Sequence, residues 1–186
     1  FARLRRSQRG GAPIETQADK PTALGRHRGL DAAGLRRRQN GREIGVVQWP
    51  MLGNHNVLNG LAALAAAQAV GVDIAKVIPS LVDFRSVKRR LEVIGVSNNI
   101  TIYDDFAHHP TAIQTTLQGL RAKVGKARIV VAMEPRSNSM RLGAHAEALA
   151  PSLDGADAVV FLHRPELAWD AGKVVAAIRG EARTVA

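Results

Sequence analysis

Apolar residues are scattered through the first 40 positions without a helical or a two-residue period. Arg, Gly, Ala and Gln fill the intervals, so the stretch reads as irregular. Order begins at "EIGVVQW", residues 43–49, a short β-branched run that reads as a strand stopped by Pro50. In the following "GNHNVLNGLAALAAAQAVGVD" apolar positions recur at helical spacing. Asn54 stands where a helix is capped and Gly71 where one ends, which predicts a helix over 55–70. Ile74, Val77, Ile78, Leu81 and Val82 share one side of a second helix over roughly 73–84, kinked or shifted by Pro79. The two helices are expected to pack together.

From about residue 91 the texture changes to alternating strand and helix patterns. "NITIYDD", "ARIVVAME" and "ADAVVFL" read as strands, and "PTAIQTTLQGLRAKV", "RLGAHAEALAPSL" and "DAGKVVAAIRG" as helices. This alternation predicts an α/β, Rossmann-like domain with a mostly parallel sheet, whose ligands gather at the carboxyl ends of the strands. Asp104, Asp105 and Glu134 fall at such ends. The chain therefore divides into a basic segment over 1–42, a largely helical segment over 43–90 and an α/β segment over 91–186.

Composition narrows the class. With 46% apolar residues in 186, the chain can bury a core, yet it has no apolar run of the length that crosses a bilayer. Cysteine is absent, which removes disulfides, thiolate zinc sites and cysteine nucleophiles and fits a reducing, cytoplasmic setting. The opening "FARLRRSQRGG" lacks the apolar stretch of a secretory signal, and with no initial Met the chain reads as one that starts within a longer protein or was processed. The net charge of +10 points first to a polyanion. Ten basic groups against three acids in residues 1–40 account for +7 of it, however, which leaves +3 for the remainder. With only 4% aromatic residues there is little stacking surface for nucleic acid.

Four constellations carry possible chemistry. In "DDFAHHPTAI", residues 104–113, Pro110 suits the first turn of a helix, so the stretch is a strand end, a loop and a helix start, a geometry that favours anions. Asp105 could accept from ribose hydroxyls and His108 approach a phosphate or its metal. The plainer alternative is a capped loop whose Asp and His satisfy backbone amides. Metal ligation by adjacent histidines is weaker, because neighbouring loop side chains diverge and a third ligand is not evident. In "GNHNVLN", His55, Asn56 and Asn59 open an apolar helix; the carboxamides offer the donor and acceptor that an adenine edge needs, or simply form an exposed polar face. "FRSVKRRLE" places Arg89 and Arg90 where a terminal phosphate could be reached, or where a charge run is merely solvated. "MEPRSNSM" puts Glu134, Arg136, Ser137 and Asn138 after a strand, as a ligand loop or as a turn. Neither G-x-x-x-x-G-K-[ST] nor G-x-G-x-x-G occurs.

In this order, G-x-H-N-x-x-N before an alanine-rich helix, then R-R-L-E, then D-[FY]-A-H-x-P, the motifs resemble those of the Mur ligase family of peptidoglycan enzymes, from about residue 43 to the end. "DDFAHHPTAI" followed by "EPRSNSM" is most similar to members that join UDP-N-acetylmuramate to a murein tripeptide, L-alanyl-γ-D-glutamyl-meso-diaminopimelate. The resemblance implies an ATP-dependent amide ligase of three domains. Residues 43–90 would be the helical end of its P-loop-type central domain and 91–186 an incomplete C-terminal domain, with 1–42 outside the family's pattern and possible out-of-frame sequence. It implies ATP binding by His55, Asn56, Asn59, Arg90, Asp105 and His108, and peptide binding by Arg136, Ser137 and Asn138. ATP and Mg2+ would serve the reaction, and UDP-N-acetylmuramate and the tripeptide would be its partners, with neither nucleic acid nor membrane. The phosphate-binding loop and metal-binding acids of the family are missing from this sequence, so no catalytic or metal residue is assigned and the chain alone is expected to be inactive. Two other classes compete: a non-catalytic nucleotide-binding Rossmann-like domain, and a basic nucleic-acid-binding protein.

Overall fold

The computed structural model describes residues 14–18, 35–39 and 42–185, and the chain divides into two compact units, 1–51 with 57–85 and 52–56 with 86–186.

In the first unit, β1 (Ile14–Ala18), β2 (Leu35–Gln39) and β3 (Arg42–Val47) form an antiparallel sheet in that order, with an irregularity at Arg37/Arg38. The reading of 1–42 as irregular is thus corrected for β1 and β2. A strand ladder is built from backbone donors and acceptors that almost any residue supplies, so a run such as "LRRRQ" can pair without apolar alternation to announce it. The other residues of that stretch, Arg42 of β3 apart, lie outside the described ones. Helix α1 (Asn54–Ala69) follows, belonging to this unit from Val57 on, and its end is satisfied by paired turns, Gly71 N–H to Gln68 O (3.0 Å) and Val72 N–H to Ala67 O (3.1 Å). That pattern needs a left-handed residue at the stop, and Gly71 supplies it with φ +87°. Asp73 then caps a four-residue helix, α2 (Ile74–Val77), which tightens at Pro79 into a 3-10 turn, Ile78–Asp83. The single helix read over 73–84 is therefore two pieces, because proline cannot donate the next α-type bond. Val47, Trp49, Leu64, Ile74 and Ile78 are buried as one cluster, to which both predicted helices contribute.

The second unit opens with a hairpin, β4 (Glu92–Ser97) and β5 (Ile100–Asp104), turned by Asn98 and Asn99 at φ +49° and +63°. Two positive-φ residues between paired strands are the signature of a tight hairpin turn, which asparagine tolerates better than most residues. The "NITIYDD" strand therefore belongs to this antiparallel pair, and the parallel sheet is made by β6 (Val130–Met133), β7 (Ala158–Leu162) and β8 (Glu181–Val185), in that order. Neither β4 nor β8 was evident in the sequence pattern. Helix α3 (Pro110–Val124) starts with Pro110 in its first turn, as anticipated. The helix read over "RLGAHAEALAPSL" forms only from Ala146, because Gly143 (φ +78°) ends a short α4 (Asn138–Arg141) ahead of α5 (Ala146–Ser152), and α6 (Ala171–Ala176) precedes β8. Ile113, Leu117 and Leu120 form one stripe of α3 and pack with Leu149, Leu153, Val159, Val174 and Ile178 in a shared core.

The amino edge of the parallel sheet is held by Arg121 of α3. Its Nη1 donates to the carbonyls of Gly125 (3.0 Å) and Ala127 (2.7 Å), and its Nη2 to Gly155 O (3.1 Å) and Asp157 Oδ2 (2.6 Å). Asp157 Oδ2 also accepts the Ile129 N–H at 2.7 Å. That amide and the guanidinium hold the Asp157 carboxyl below its ordinary value of 3.8. A depressed carboxyl stabilises the fold above its unfolded value and ceases to do so as pH falls through the folded one. Asp157→Asn is accordingly expected to unfold earlier in urea at pH 7, and its deficit against the wild type to shrink below about pH 3.8 as the wild-type carboxyl protonates. A deficit that stays constant from pH 7 to pH 2 would argue against the charge as its source.

Candidate functional site

The loop after β5 is organised around Asp105. Its Oδ2 accepts the Leu91 N–H (2.8 Å), and its Oδ1 accepts the Ala107 N–H (2.8 Å) and, more loosely, the Thr116 hydroxyl (3.4 Å). The carboxylate thereby joins the start of β4, the loop and α3. Next to it Asp104 pairs with Arg89 Nε at 3.3 Å, and the Arg89 carbonyl accepts the Phe106 N–H at 2.9 Å. The exposed Phe106 ring lies under two guanidiniums, Arg89 at 5.1 Å and Arg90 at 5.9 Å from its centroid. Arg90 is exposed and has no ion pair among the described residues. His108 is also exposed; its Nδ1 lies 3.1 Å from the Phe106 carbonyl and its ring 5.0 Å from the Phe106 ring. His109, not singled out from sequence, caps α3 by accepting the Thr111 N–H on Nδ1 (3.2 Å). Much of the polar loop thus serves backbone amides, while Arg90 and His108 face solvent.

Residues 52–56 belong to the same unit. A methyl group on Gly119 would stand 3.1 Å from the Gly53 Cα, so the two glycines let this segment ride directly on α3. Asn56 Nδ2 donates to Leu52 O at 2.7 Å. His55 Nδ1 is shielded from solvent and has no hydrogen-bond partner among the described residues. Asn59 is exposed and lies in the first unit.

A separate cleft of about 300 Å3 opens at the carboxyl ends of β6 and β7, lined by Glu134, Pro135, Arg136, Arg141, Arg164, Glu166 and Leu167. Glu134, 21% exposed, is hydrogen-bonded by Arg164 Nε and lies 3.9 Å from Arg136 Nε. Ser137 caps α4, accepting the Met140 N–H at 3.4 Å, and Asn138 is exposed at the start of that helix. The sequence reading found Glu134 and Arg136 but missed Arg141, Arg164 and Glu166. Arg164 and Glu166 follow β7 directly, so the rule that ligands collect beyond strand ends could have flagged them. Among the described residues no group of three or more His, Cys, Asp or Glu side chains could hold a metal ion, and no helix is long and apolar enough to cross a membrane.

The chain thus has a Rossmann-like parallel sheet with a cleft at its carboxyl edge, preceded by the D-D-F-A-H-H-P loop, and its likeness to known proteins covers both. Residues 89–186 match the profile of the Mur ligase, glutamate ligase domain, and the chain belongs to the Mur ligase family. Over 139 residues it is 48% identical to the UDP-N-acetylmuramate–L-alanyl-γ-D-glutamyl-meso-2,6-diaminoheptandioate ligase of Escherichia coli (strain K12), a match that covers 74% of this chain and 30% of that protein. Among solved structures it is similar to a murein peptide ligase from Psychrobacter arcticus 273-4 (36% identity, TM-score 0.58, 87% of this chain and 35% of that one). The UDP-N-acetylmuramate–alanine ligase of Thermotoga maritima superposes with a TM-score of 0.66 at 30% identity, over 82% of this chain and 34% of that one. The chain thus spans about a third of the length of the relatives it matches.

Asp105→Ala would strand the amides of Leu91 and Ala107. Loss of these charge-assisted bonds is expected to lower the stability of the second unit by about 1–3 kcal/mol in urea unfolding. An unchanged midpoint would show that the carboxylate does not anchor the loop.

Proposed function

We propose that this chain carries part of an ATP-dependent carboxylate–amine ligase that joins UDP-N-acetylmuramate to L-alanyl-γ-D-glutamyl-meso-diaminopimelate in cytoplasmic peptidoglycan recycling. The observation that carries the reading is the 48% identity, over 139 residues, to a ligase named for that reaction. Residues 43–90 are assigned to the end of the central ATP-binding domain and 91–186 to part of the C-terminal domain. His55, Asn56 and Asn59 are assigned to the adenine side of the nucleotide, Arg90 to its terminal phosphate, Asp105 to the ribose and His108 to the phosphates. The exposure of Arg90 and His108 supports their part in this, since both side chains are accessible to an anion. Asp105 already accepts two amides, so its contact with a ribose hydroxyl would use the remaining lone pairs of a carboxylate that the loop has oriented. Arg136, Ser137 and Asn138 are assigned to the peptide, and of these Arg136 lines the arginine-rich cleft. Mg2+ would enter with ATP, and no residue of this chain is assigned to hold it.

Two measurements test the reading. Calorimetric titration of the chain with the tripeptide should show binding that Arg136→Ala weakens roughly tenfold or more, the effect of losing one charged hydrogen bond. Absence of binding by the unmodified chain would overturn the peptide assignment. With UDP-N-acetylmuramate, tripeptide and MgATP together, the chain by itself should release no ADP, because its sequence lacks the lysine-bearing phosphate loop that phosphoryl transfer needs. Turnover above roughly 1 per second, an ordinary enzyme rate, would overturn that expectation.

A further inference from the structure

The second wall of the cleft comes from residues 163–170, a loop that the assigned roles do not use. It is tied to the 134–143 segment, the loop after β6 with α4, at three points. Arg164 Nε donates to Glu134, the Ala168 N–H donates to Arg141 O (3.2 Å), and Trp169 Nε1–H donates to Met140 O (2.6 Å). The Trp169 ring also meets the fully buried Phe161 edge-on at 6.0 Å, so the wall is anchored in the core. Five charged side chains line the space, Arg136, Arg141 and Arg164 against Glu134 and Glu166. Arg141 has no ion pair among the described residues, and Glu134 is contested by two arginines. Arg164 holds it in a direct hydrogen bond, whereas Arg136 Nε stands off at 3.9 Å, beyond hydrogen-bond range. A guanidinium that is engaged by an internal carboxylate has fewer donors for an external one.

We propose that Arg164 is a positioning residue that sets the carboxylate selectivity of this cleft. By holding Glu134 it keeps that side chain off Arg136, and leaves Arg136 and Arg141 to receive a carboxylate of the ligand. Without it, the nearest cation to Glu134 is Arg136, and the lining loses its excess of one positive charge. The inference rests on the reading of this cleft as the peptide-docking site.

The test is calorimetric titration of the folded chain with the acid tripeptide and with a fully amidated tripeptide. Arg164→Gln should weaken binding of the acid roughly tenfold and leave the amide unchanged, while Arg164→Lys, which keeps the cation, should bind nearly as the wild type. The double variant Arg164→Gln, Glu134→Gln should recover binding to within about twofold of the wild type, because no carboxylate remains to occupy Arg136. A double variant as weak as Arg164→Gln overturns the proposal, since Arg164 would then touch the ligand itself or merely prop the wall. If the unmodified chain does not bind the tripeptide, the peptide assignment falls, and Arg164 is judged without ligand. Exchange of the Arg136 Nε–H, followed by NMR, should slow in Arg164→Gln as Glu134 closes on it, and unchanged exchange overturns the proposal.

Discussion

The second unit depends on the clasp of Arg121 and Asp157. One guanidinium from the last turns of α3 gathers three carbonyls and a carboxylate, and that carboxylate takes the amide at the entrance to β6. The Asp157 backbone carbonyl accepts in turn from Glu181 at the start of β8, at 3.4 Å. The starts of three parallel strands are thereby referred to one pair of side chains. Strands of fixed length that start together also end together, so a clasp at the amino edge determines where the opposite edge presents its loops. An exposed ion pair is worth little by itself, and this one matters because it satisfies backbone groups that the turns would otherwise leave unpaired.

At the carboxyl edge the polar groups are distributed differently. Arg121 and Asp157 are used up internally, whereas Arg136, in the loop after β6, and Arg141, at the end of α4, have weak partners or none among the described residues. Glu134 is the hinge of that arrangement, because a single carboxylate lies within reach of two cations and its allegiance decides which of them remains available. In the loop after β5 the same economy appears in Asp105, whose two oxygens hold the turn while one face of the loop stays open. A side chain can serve the backbone and a ligand together when it is an anion with four lone-pair sites.

The hairpin and the split helix show where reading by pattern stops. Asn98-Asn99 is a turn signal, but "NITIYDD" takes Asn99 into the strand, and β4 is hidden because its residues do not alternate. β8 was missed because "EARTV" is polar and largely exposed; it is a strand because β7 offers it a free edge. In both cases pairing with a neighbour supplied what the local pattern lacked.

What the sequence determined by itself is the set of locally encoded features: α1 and its glycine stop, the proline start of α3, the β-rich runs of the α/β half, and the ordered motifs that place the chain in the Mur ligase family. These depend on neighbours in the chain, so periodicity and capping chemistry report them directly. Tertiary structure alone decided that β5 pairs backwards with β4, that "LRRRQ" is a strand, and that Arg141, Arg164 and Glu166 share a cleft with Glu134 and Arg136. Glu134 and Arg164 stand 30 positions apart in the chain, and only the parallel pairing of β6 with β7 brings the ends of those strands, and hence their charges, side by side.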